Sequence, residues 1–312
     1  MAGKRDLLSL INYGQDEIYR LLAAAIELKR RGRDAVEKQV LAGKNIALIF
    51  NKPSTRTRIS FEAAVAHLGG HAIYLTQNEL QLGRGETIED TGRVLSRYVD
   101  AIVIRTYDHG DIERLASAAA VPVINALTDA HHPCQALADL MTILEKKERL
   151  RGVKLAYIGD GNNVCHSLLI GSAKMGLDFA AACPPGYKPN DEIVKAARVD
   201  EAGVNISIVD DPEEAARGAD VLYTDVWTSM GQEGEADERH EAFAGFQINE
   251  TLLEKAKPDA IVMHCLPAHR GEEISADVLD GPQSVVFDQA ENRLHVQKAL
   301  LMWLVGNGGG DA

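Results

Sequence analysis

Short apolar runs alternate with segments of helical periodicity from residue 45 almost to the C-terminus. The plainest unit begins with a predicted strand at residues 45–50. The helix after it has apolar residues at i, i+3, i+4 and i+7, namely Phe61, Ala64, Val65 and Leu68. Further strands are predicted at 72–75, 101–105, 122–125, 153–158, 179–183, 205–209, 221–224 and 260–264. Strands that alternate with helices are typical of parallel sheets with crossover helices, so the predicted fold class is α/β.

The strands fall into two series, which predicts two domains. A helix with an apolar face leads through the charged residues 145–151 into the second series, and we place the boundary near Lys147. Residues 1–147 are expected to form the first domain and 148–290 the second, with a C-terminal helix in 291–312 packing back on the first. Both sheets are predicted to be doubly wound, with the active site in the cleft between the domains.

The amino-acid composition limits the kinds of molecule that the protein can bind. The chain has 312 residues, of which 46% are hydrophobic, and a net charge of −13. This charge disfavours binding to nucleic acid or to an anionic membrane, so an anionic ligand needs local basic groups. No long apolar run follows the N-terminus, and the four cysteines lie far apart without the spacing of a zinc site or a disulfide framework. We therefore predict a cytoplasmic protein.

Polar side chains follow the carboxyl ends of the predicted strands in six places. These clusters lie at 51–58, 105, 131–135, 162–163, 225–230 and 264–265. Parallel strands bring their carboxyl ends to one edge of a sheet, where open α/β sheets bind ligands. Any one cluster could be a solvated loop, but their shared position favours a binding site.

The most distinctive cluster is Ser-Thr-Arg-Thr-Arg at 54–58. Hydroxyl residues open a helix there, and the free N–H groups and the dipole of a helix N-terminus attract anions. A serine cap with solvated arginines would explain part of the pattern, but capping needs fewer polar residues. Residues 51–58 do not have the glycine and lysine positions of the phosphate loop of nucleotide-binding proteins, which disfavours phosphoryl transfer from ATP. Arg105, at the end of its strand, is either solvated or a second clamp for phosphate.

His131 and His132 lie between a strand and a helix that begins near Pro133. A metal would need further ligands that the spacing does not offer. A neutral imidazole that donates to a developing oxyanion is the favoured interpretation, and Gln135 could bind an amide.

The turn at 159–164 matches part of a dinucleotide-binding fingerprint through Gly159 and Gly161. It lacks the third glycine and the acidic residue for the ribose, which disfavours a nicotinamide-dependent dehydrogenase. Asn163 could instead offer its amide to an amino-acid head group, or serve only the turn.

Asp225 follows a predicted strand and could hold a cation. Cys265 follows the neighbouring predicted strand, so the two side chains could face each other. Cys265 could also be an inert packing residue, as most buried cysteines are. A noncatalytic phosphate- or amino-acid-binding protein would not need these two residues together with His132.

Four motifs, in this order, resemble the transcarbamoylase family and its ornithine-specific branch in particular. They are Ser-Thr-Arg-Thr-Arg at 54–58, His-Pro-Cys-Gln at 132–135, Asp-x-x-x-Ser-Met-Gly at 225–231 and His-Cys-Leu-Pro at 264–267. The resemblance covers essentially the whole chain. It implies transfer of the carbamoyl group of carbamoyl phosphate to the side-chain amine of L-ornithine, giving L-citrulline and phosphate. A sibling enzyme that acts on another amine, such as putrescine, is the alternative.

The resemblance also implies roles for individual residues. The implied carbamoyl-phosphate ligands are Ser54, Thr55, Arg56, Thr57, Gln81, Arg105, His132, Pro133, Cys134, Gln135, Cys265, Leu266 and Arg293. The implied ornithine ligands are Asn163, Asp225, Ser229 and Met230, and the implied catalytic residues are Arg105, His132, Asp225 and Cys265. Gln81 would come from a neighbouring subunit of a homotrimer or a multiple of trimers. No metal or organic cofactor is implied, and the Leu266–Pro267 peptide is expected to be cis.

Overall fold

A computed structural model describes residues 4–32, 39–76, 79, 85–199 and 203–306 of the chain. The chain divides into two compact units, each with its own sheet. Unit 1 contains residues up to Ala138 and those from Asn292 onward, and unit 2 runs from Asp139 to Glu291. The chain passes from one unit to the other twice, each time within a helix. The predicted boundary near Lys147, which is the last residue of one of these helices, stays a prediction.

Unit 1 is built on a four-stranded parallel sheet with the order β2-β1-β3-β4. Its strands are β1 (Asn45–Phe50), β2 (His71–Thr76), β3 (Ala101–Arg105) and β4 (Val123–Leu127). Its helices are α1 (Gln15–Arg31), α2 (Thr55–His67), α3 (Ile88–Leu95), α4 (His109–Ala118) and the start of α5 (Pro133–Lys147). The strand order reverses between β1 and β3, where Phe50 pairs with Arg105. The turns that follow β1 and β3 therefore lie side by side, at the position where such sheets bind ligands.

Unit 2 is built on a five-stranded parallel sheet with the order β7-β6-β5-β8-β9. Its strands are β5 (Lys154–Ile158), β6 (Asp178–Ala182), β7 (Ile206–Val209), β8 (Val221–Thr224) and β9 (Ile261–His264). Its helices are α6 (Asn163–Met175), α7 (Asp191–Val199), α8 (Pro212–Ala216), α9 (Ala236–Ala242), α10 (Glu250–Leu253), α11 (Ala276–Leu279) and the start of α12 (Val286–Val305). The order reverses between β5 and β8, and Thr224 pairs with both Ile158 and His264. The segments that follow β5, β8 and β9 therefore begin next to one another.

The apolar strands form the core of each sheet. Strands β3 and β4 are buried along their whole length, although β4 is at a sheet edge, whereas the edge strands β2 and β7 are mostly half-buried. Continuous burial explains why the central strands are apolar at successive positions instead of every second one. The prediction of two parallel α/β sheets is confirmed, and the strand bounds differ from the predicted ones by one or two residues at most.

The C-terminal helix α12 is longer than its sequence pattern suggested. It begins at Val286, five residues before the predicted start, and is described as far as Val305. Within the described residues, no helix has both the length and the apolar composition that a membrane crossing requires.

Candidate active site

The turn between β1 and α2 places hydroxyl groups at a helix start. Ser54 is the N-cap of α2 in an extended conformation, and its Oγ accepts a hydrogen bond from the Thr57 N–H at 3.2 Å. The same Oγ donates to Thr57 Oγ1 at 3.1 Å. Thr55 and Arg56 complete the first turn, where N–H groups have no partner within the helix. The predicted helix start is therefore present in the fold, and its binding of an anion stays a prediction.

Arg56 and Arg58 have different surroundings. Arg56 is half-buried in the first turn of α2, whereas Arg58 is exposed. The Arg58 Nε donates to Glu62 at 2.9 Å, and its guanidinium lies 3.6 Å from the centre of the Tyr74 ring. Arg58 is thus engaged with its own helix and with β2, which favours Arg56 as the anion ligand of the two.

Arg105 reaches the same edge from β3. It is buried, and its Nε donates to the backbone oxygen of Lys52 at 3.1 Å. This bond orients the guanidinium plane. The turn after β1 and the end of β3 are also joined by the Asn51 N–H, which donates to the Arg105 oxygen at 2.9 Å.

Arg293, on α12, joins the starts of α2 and α5. Its Nη1 donates to Gln135 Oε1 at 2.7 Å and its Nη2 to Thr57 Oγ1 at 2.8 Å, and all three residues are buried. Bonds with a charged donor are stronger than neutral ones. One guanidinium therefore sets the positions of two predicted carbamoyl-phosphate ligands.

His132 is held neutral by its surroundings. Burial, and after it the charges of Arg293 and Arg105, lower the pKa of His132 well below its usual value. The imidazole therefore remains an uncharged N–H donor at neutral pH. We call Ser54, Thr57, Arg105, His132, Gln135 and Arg293 the anion cluster.

Cys134 differs from its neighbours. Its thiol is fully buried and donates to the Asn125 oxygen at 3.4 Å, and burial raises the pKa of Cys134 to about 12. The side chain is therefore a packing group, and any contact of Cys134 with a ligand would come from its backbone. Pro133 is the first residue of α5, as predicted.

In unit 2, Asp225 follows β8 and is buried. Its Oδ1 accepts from the Cys265 thiol at 3.0 Å and from the Val226 N–H at 2.9 Å. Its Oδ2 accepts from the Asn162 Nδ2 at 2.9 Å. We call Asn162, Asp225 and Cys265 the carboxylate cluster. The two residues that sequence reasoning expected to face each other are in contact.

The segment that carries Cys265 is held by a buried histidine. His264 Nδ1 accepts from the Leu266 N–H at 2.8 Å, so the proton of a neutral ring is on Nε2, which lies 3.0 Å from Glu273 Oε1. Leu266 has a φ of 57°, and the Leu266–Pro267 peptide is cis, as expected. Glu273 was not predicted from the sequence, because its pairing with His264 depends on the fold of the intervening loop.

The turn after β5 contains a glycine that packing requires. A Cβ on Gly161 would lie 2.2 Å from the backbone nitrogen of Pro189. Close packing inside the protein therefore accounts for this glycine. Asn163 is the first residue of α6, and its backbone oxygen accepts from the Ser167 hydroxyl at 2.9 Å.

Ser229 and Met230 follow the same strand as Asp225. Ser229 is half-buried, and its N–H donates to Gln232 Oε1 at 3.1 Å; Met230 is exposed. The segment before them is anchored by Arg239 of α9, which donates 2.9 Å bonds to the Trp227 oxygen and to Asp160. Arg239 had no signal in the sequence beyond its place in an acidic stretch.

The predicted site residues divide between the units. Unit 1 contains Ser54, Thr55, Arg56, Thr57, Arg105, His132, Pro133, Cys134, Gln135 and Arg293. Unit 2 contains Asn163, Asp225, Ser229, Met230, Cys265 and Leu266. Gln81 lies outside the described residues. The ligand contacts assigned to these residues, including those of Cys265 and Leu266 with carbamoyl phosphate, stay predictions.

Two groups of described side chains could offer atoms to a cation. One contains Asp225, His264 and Cys265, and the other contains His269, Glu272 and Glu273. In the first group both nitrogens of His264 already have hydrogen-bond partners. A cation there would have to displace one of them.

Comparison with known proteins also divides the chain into two parts, although residues 292–304, which belong to unit 1, fall in the second match. Residues 5–145 match the family model described as the carbamoyl-P binding domain of aspartate/ornithine carbamoyltransferase. Residues 151–304 match its Asp/Orn binding domain. These matches define a carbamoyltransferase with one domain for each substrate. The chain belongs to the aspartate/ornithine carbamoyltransferase family, which confirms the resemblance seen in its motifs.

Individual relatives lie in the ornithine branch of the family. The chain is 57% identical to a protein of Pyrococcus abyssi named ornithine carbamoyltransferase, over 97% of this chain and 96% of the relative. It is also 57% identical to the anabolic ornithine carbamoyltransferase of Pyrococcus furiosus, over 98% of each chain. The solved structure of the ornithine carbamoyltransferase of Pyrococcus furiosus superimposes with a TM-score of 0.94 at 57% identity, covering 98% of each chain. That of Gloeobacter violaceus has a TM-score of 0.88 at 48% identity, covering 98% of this chain and 100% of the other.

Proposed function

We propose that the protein transfers the carbamoyl group of carbamoyl phosphate to the side-chain amine of L-ornithine, forming L-citrulline and phosphate. The observation that carries the proposal is 57% identity over nearly the whole chain to proteins named ornithine carbamoyltransferase. The anion cluster of unit 1 and the carboxylate cluster of unit 2 support it, because their chemistry suits an anionic donor and a cationic acceptor respectively.

Unit 1 has the groups that a carbamoyl phosphate ligand needs. The phosphate lies at the start of α2, where Ser54, Thr55, Arg56 and Thr57 offer hydroxyl, N–H and guanidinium donors. Arg105 adds a planar fork suited to phosphate oxygens. A helix N-terminus favours the same negative charge and continues to stabilise the phosphate as it leaves.

The carbonyl oxygen of the carbamoyl group gains negative charge when it is attacked. Arg105 and His132 donate hydrogen bonds to this oxygen. His132 is suited to stabilise the developing negative charge as a neutral donor, because its pKa is lowered. Gln135 binds the carbamoyl amide, oriented by its bond to Arg293. Donors that are in position before the reaction stabilise the transition state without reorganisation.

Asp225 holds the amine of ornithine through its carboxylate, with Cys265 beside it. Asn163, Ser229 and Met230 bind the rest of the amino acid. An alkyl amine has a pKa of about 10.4, so only about one molecule in 10³ is neutral at pH 7. A carboxylate favours the ammonium form, so we assign Asp225 the orientation of the amine and not its deprotonation.

The reaction balances without a further reactant. The neutral amine nitrogen forms a bond to the carbonyl carbon, the bond from that carbon to the phosphate oxygen breaks, and phosphate departs with the bonding electrons. The nitrogen then gives up one proton to the departing phosphate or to water, which leaves citrulline. Because attack requires the neutral amine, the rate at subsaturating ornithine is expected to rise with pH above neutrality.

Phosphate release from carbamoyl phosphate, measured with ornithine, aspartate or putrescine as the acceptor, tests the proposal together with an assay for citrulline. We expect turnover with ornithine and at least 100-fold lower kcat/KM with the other two. Asp225→Asn should reduce kcat/KM for ornithine by about 100-fold, because a charge-assisted contact is worth about 1.5–3 kcal/mol. The matched control is Asp210→Asn, an exposed aspartate of the same unit that pairs with Lys188. No citrulline from the wild-type protein, or preference for another amine, would refute the proposal.

We also propose a homotrimer or a multiple of trimers. Large apolar side chains are exposed on unit 1, including Ile59 on α2, Val94 on α3 and Tyr98 after it. Where such side chains form a continuous patch, the patch marks a surface for a partner. Light scattering coupled to size exclusion measures the mass. A monomer of 33.9 kDa would contradict this prediction.

The relative from Pyrococcus furiosus is named anabolic, which supports a role in arginine biosynthesis for this protein. A cytoplasmic location is consistent with four cysteines in the free thiol form. Growth of an arginine-requiring strain that lacks its own ornithine carbamoyltransferase, after introduction of this gene, tests the biosynthetic role.

A further inference from the structure

The turn after β5 ends in a residue that none of the motifs includes. Asn162 is the N-cap of α6, with an extended backbone. Its Oδ1 accepts from the N–H groups of Val164 at 2.9 Å and Cys165 at 3.2 Å, and the Tyr157 hydroxyl donates to it at 3.3 Å. The side chain therefore satisfies donors at the start of the helix.

These contacts decide which way the amide points. Two backbone N–H groups can only donate, so the atom that faces them must be the amide oxygen. The NH₂ group then faces the opposite way, where Nδ2 lies 2.9 Å from Asp225 Oδ2. The same amide thus serves the helix through its oxygen and Asp225 through its nitrogen.

The plane of the Asp225 carboxylate depends on its donors, because the terminal torsion of an aspartate has no sharp preference. Val226 and Cys265 donate to Oδ1, and Asn162 donates to Oδ2. The bonds from Cys265 and Asn162 come from segments far away in the sequence. Without the Asn162 bond, the carboxylate can rotate about Cβ–Cγ and move Oδ1 away from the Cys265 thiol.

We propose that Asn162 is a positioning residue that fixes the Asp225 carboxylate for the amine substrate while capping α6. The proposal rests on the proposed function, in which Asp225 holds the ornithine amine. Asparagine is the one common capping residue that suits both tasks. Aspartate has no donor, and serine and threonine have side chains too short to reach the carboxylate while capping.

Two substitutions separate positioning from capping. In Asn162→Ser the hydroxyl can still cap α6, but the donor to Asp225 is lost. In Asn162→Ala both functions are lost. The matched control is Asn249→Ser, because Asn249 caps α10 by accepting from the Leu252 N–H at 3.0 Å.

Both Asn162 variants are expected to lose about 30-fold in kcat/KM for ornithine, the worth of one hydrogen bond to a charged group. The affinity for carbamoyl phosphate, measured by calorimetry, should stay within twofold of wild type. Only Asn162→Ala should lose its helix cap, with a Tm lower by about 3 °C. Asn249→Ser should match wild type in ornithine kinetics. The loss of kcat/KM will then be shared by both Asn162 variants, which both lack the donor to Asp225, whereas the loss of Tm will be limited to Asn162→Ala.

A second readout does not need turnover. Cys265 is partly exposed whereas the other three cysteines are buried, so alkylation of the native protein reports on Cys265. In Asn162→Ser the Cys265 thiol should be alkylated at least threefold faster, because the Asp225 carboxylate is no longer held in its hydrogen bond with the thiol. An unchanged or slower rate would overturn the positioning role, even if the wild-type protein made no citrulline. Ornithine kinetics of Asn162→Ser within twofold of an active wild type would overturn it as well.

Discussion

The substitution Arg293→Lys tests how the anion cluster is held together. Arg293 binds Gln135 Oε1 through Nη1 and Thr57 Oγ1 through Nη2, at 2.7 and 2.8 Å. Lysine keeps the positive charge but has one ammonium group in place of a planar fork. It has a single nitrogen in place of the two Nη atoms, so we expect it to keep only one of the two bonds, and either Gln135 or Thr57 loses its charged donor.

The expected magnitude follows from one lost bond. A hydrogen bond to a charged group is worth about 1.5–3 kcal/mol. At 1.36 kcal/mol for each factor of ten, kcat/KM for carbamoyl phosphate should fall by about 10- to 150-fold. The variant should also be less stable by about 1–3 kcal/mol, because a buried acceptor loses its charged donor.

Initial rates of citrulline formation, with carbamoyl phosphate varied at saturating ornithine, measure the effect. Arg30→Lys is the matched control, since Arg30 also makes two bonds through its guanidinium, to Glu27, but is exposed on α1. That variant should behave as wild type, because exposed ion pairs contribute little. If Arg293→Lys kept kcat/KM for carbamoyl phosphate within twofold of wild type, the orienting role of Arg293 would be wrong.

Three further predictions concern stability. Gly161→Ala should lower the unfolding free energy by about 3 kcal/mol, because its Cβ would lie 2.2 Å from the Pro189 nitrogen; an unchanged Tm would contradict this. The pKa of His132 is lowered, so the unfolded chain takes up a proton below about pH 6.5 that the folded protein does not. Stability should therefore fall below pH 6.5 by up to about 1.4 kcal/mol per pH unit, and this part of the slope should vanish in His132→Asn, as measured by urea unfolding. Burial raises the pKa of Asp160 to about 6 in spite of Arg239, so the folded protein takes up a proton between about pH 6 and 4 that the unfolded chain does not. This proton uptake raises the free energy of unfolding as pH falls from about 6 to 4, and the increase should be absent from Asp160→Asn in the same measurement.

Much of the fold could be predicted because it is encoded locally. Strands such as β1 and β3 are continuous apolar runs, since both faces of a central parallel strand are buried. The start of α5 is marked by Pro133 and that of α2 by the Ser54 cap. The early start of α12 was missed because the residues around Val286 follow no clear helical period.

The chemistry of the site could be predicted only in part. Parallel topology brings strand ends to one edge, so the sequence predicted that Arg105 and the turn after β1 lie at the same edge of a sheet. That β1 and β3 are neighbours was known only from the fold. The partners of those side chains did not follow. Thr57 and Arg293 are 236 positions apart, and no local pattern encodes their bond. Glu273 and Arg239 were missed for the same reason.

Asn162 and Asn163 show where the two kinds of information divide. That an asparagine pair follows β5 could be predicted from residue order, because strand, turn and helix start are local features of composition and period. That Asn162 faces both the N–H groups of α6 and the Asp225 carboxylate could not, and it became known from the fold. A hydrogen bond depends on the position and direction of two groups in space, and β5 and β8 are adjacent only once the sheet has formed.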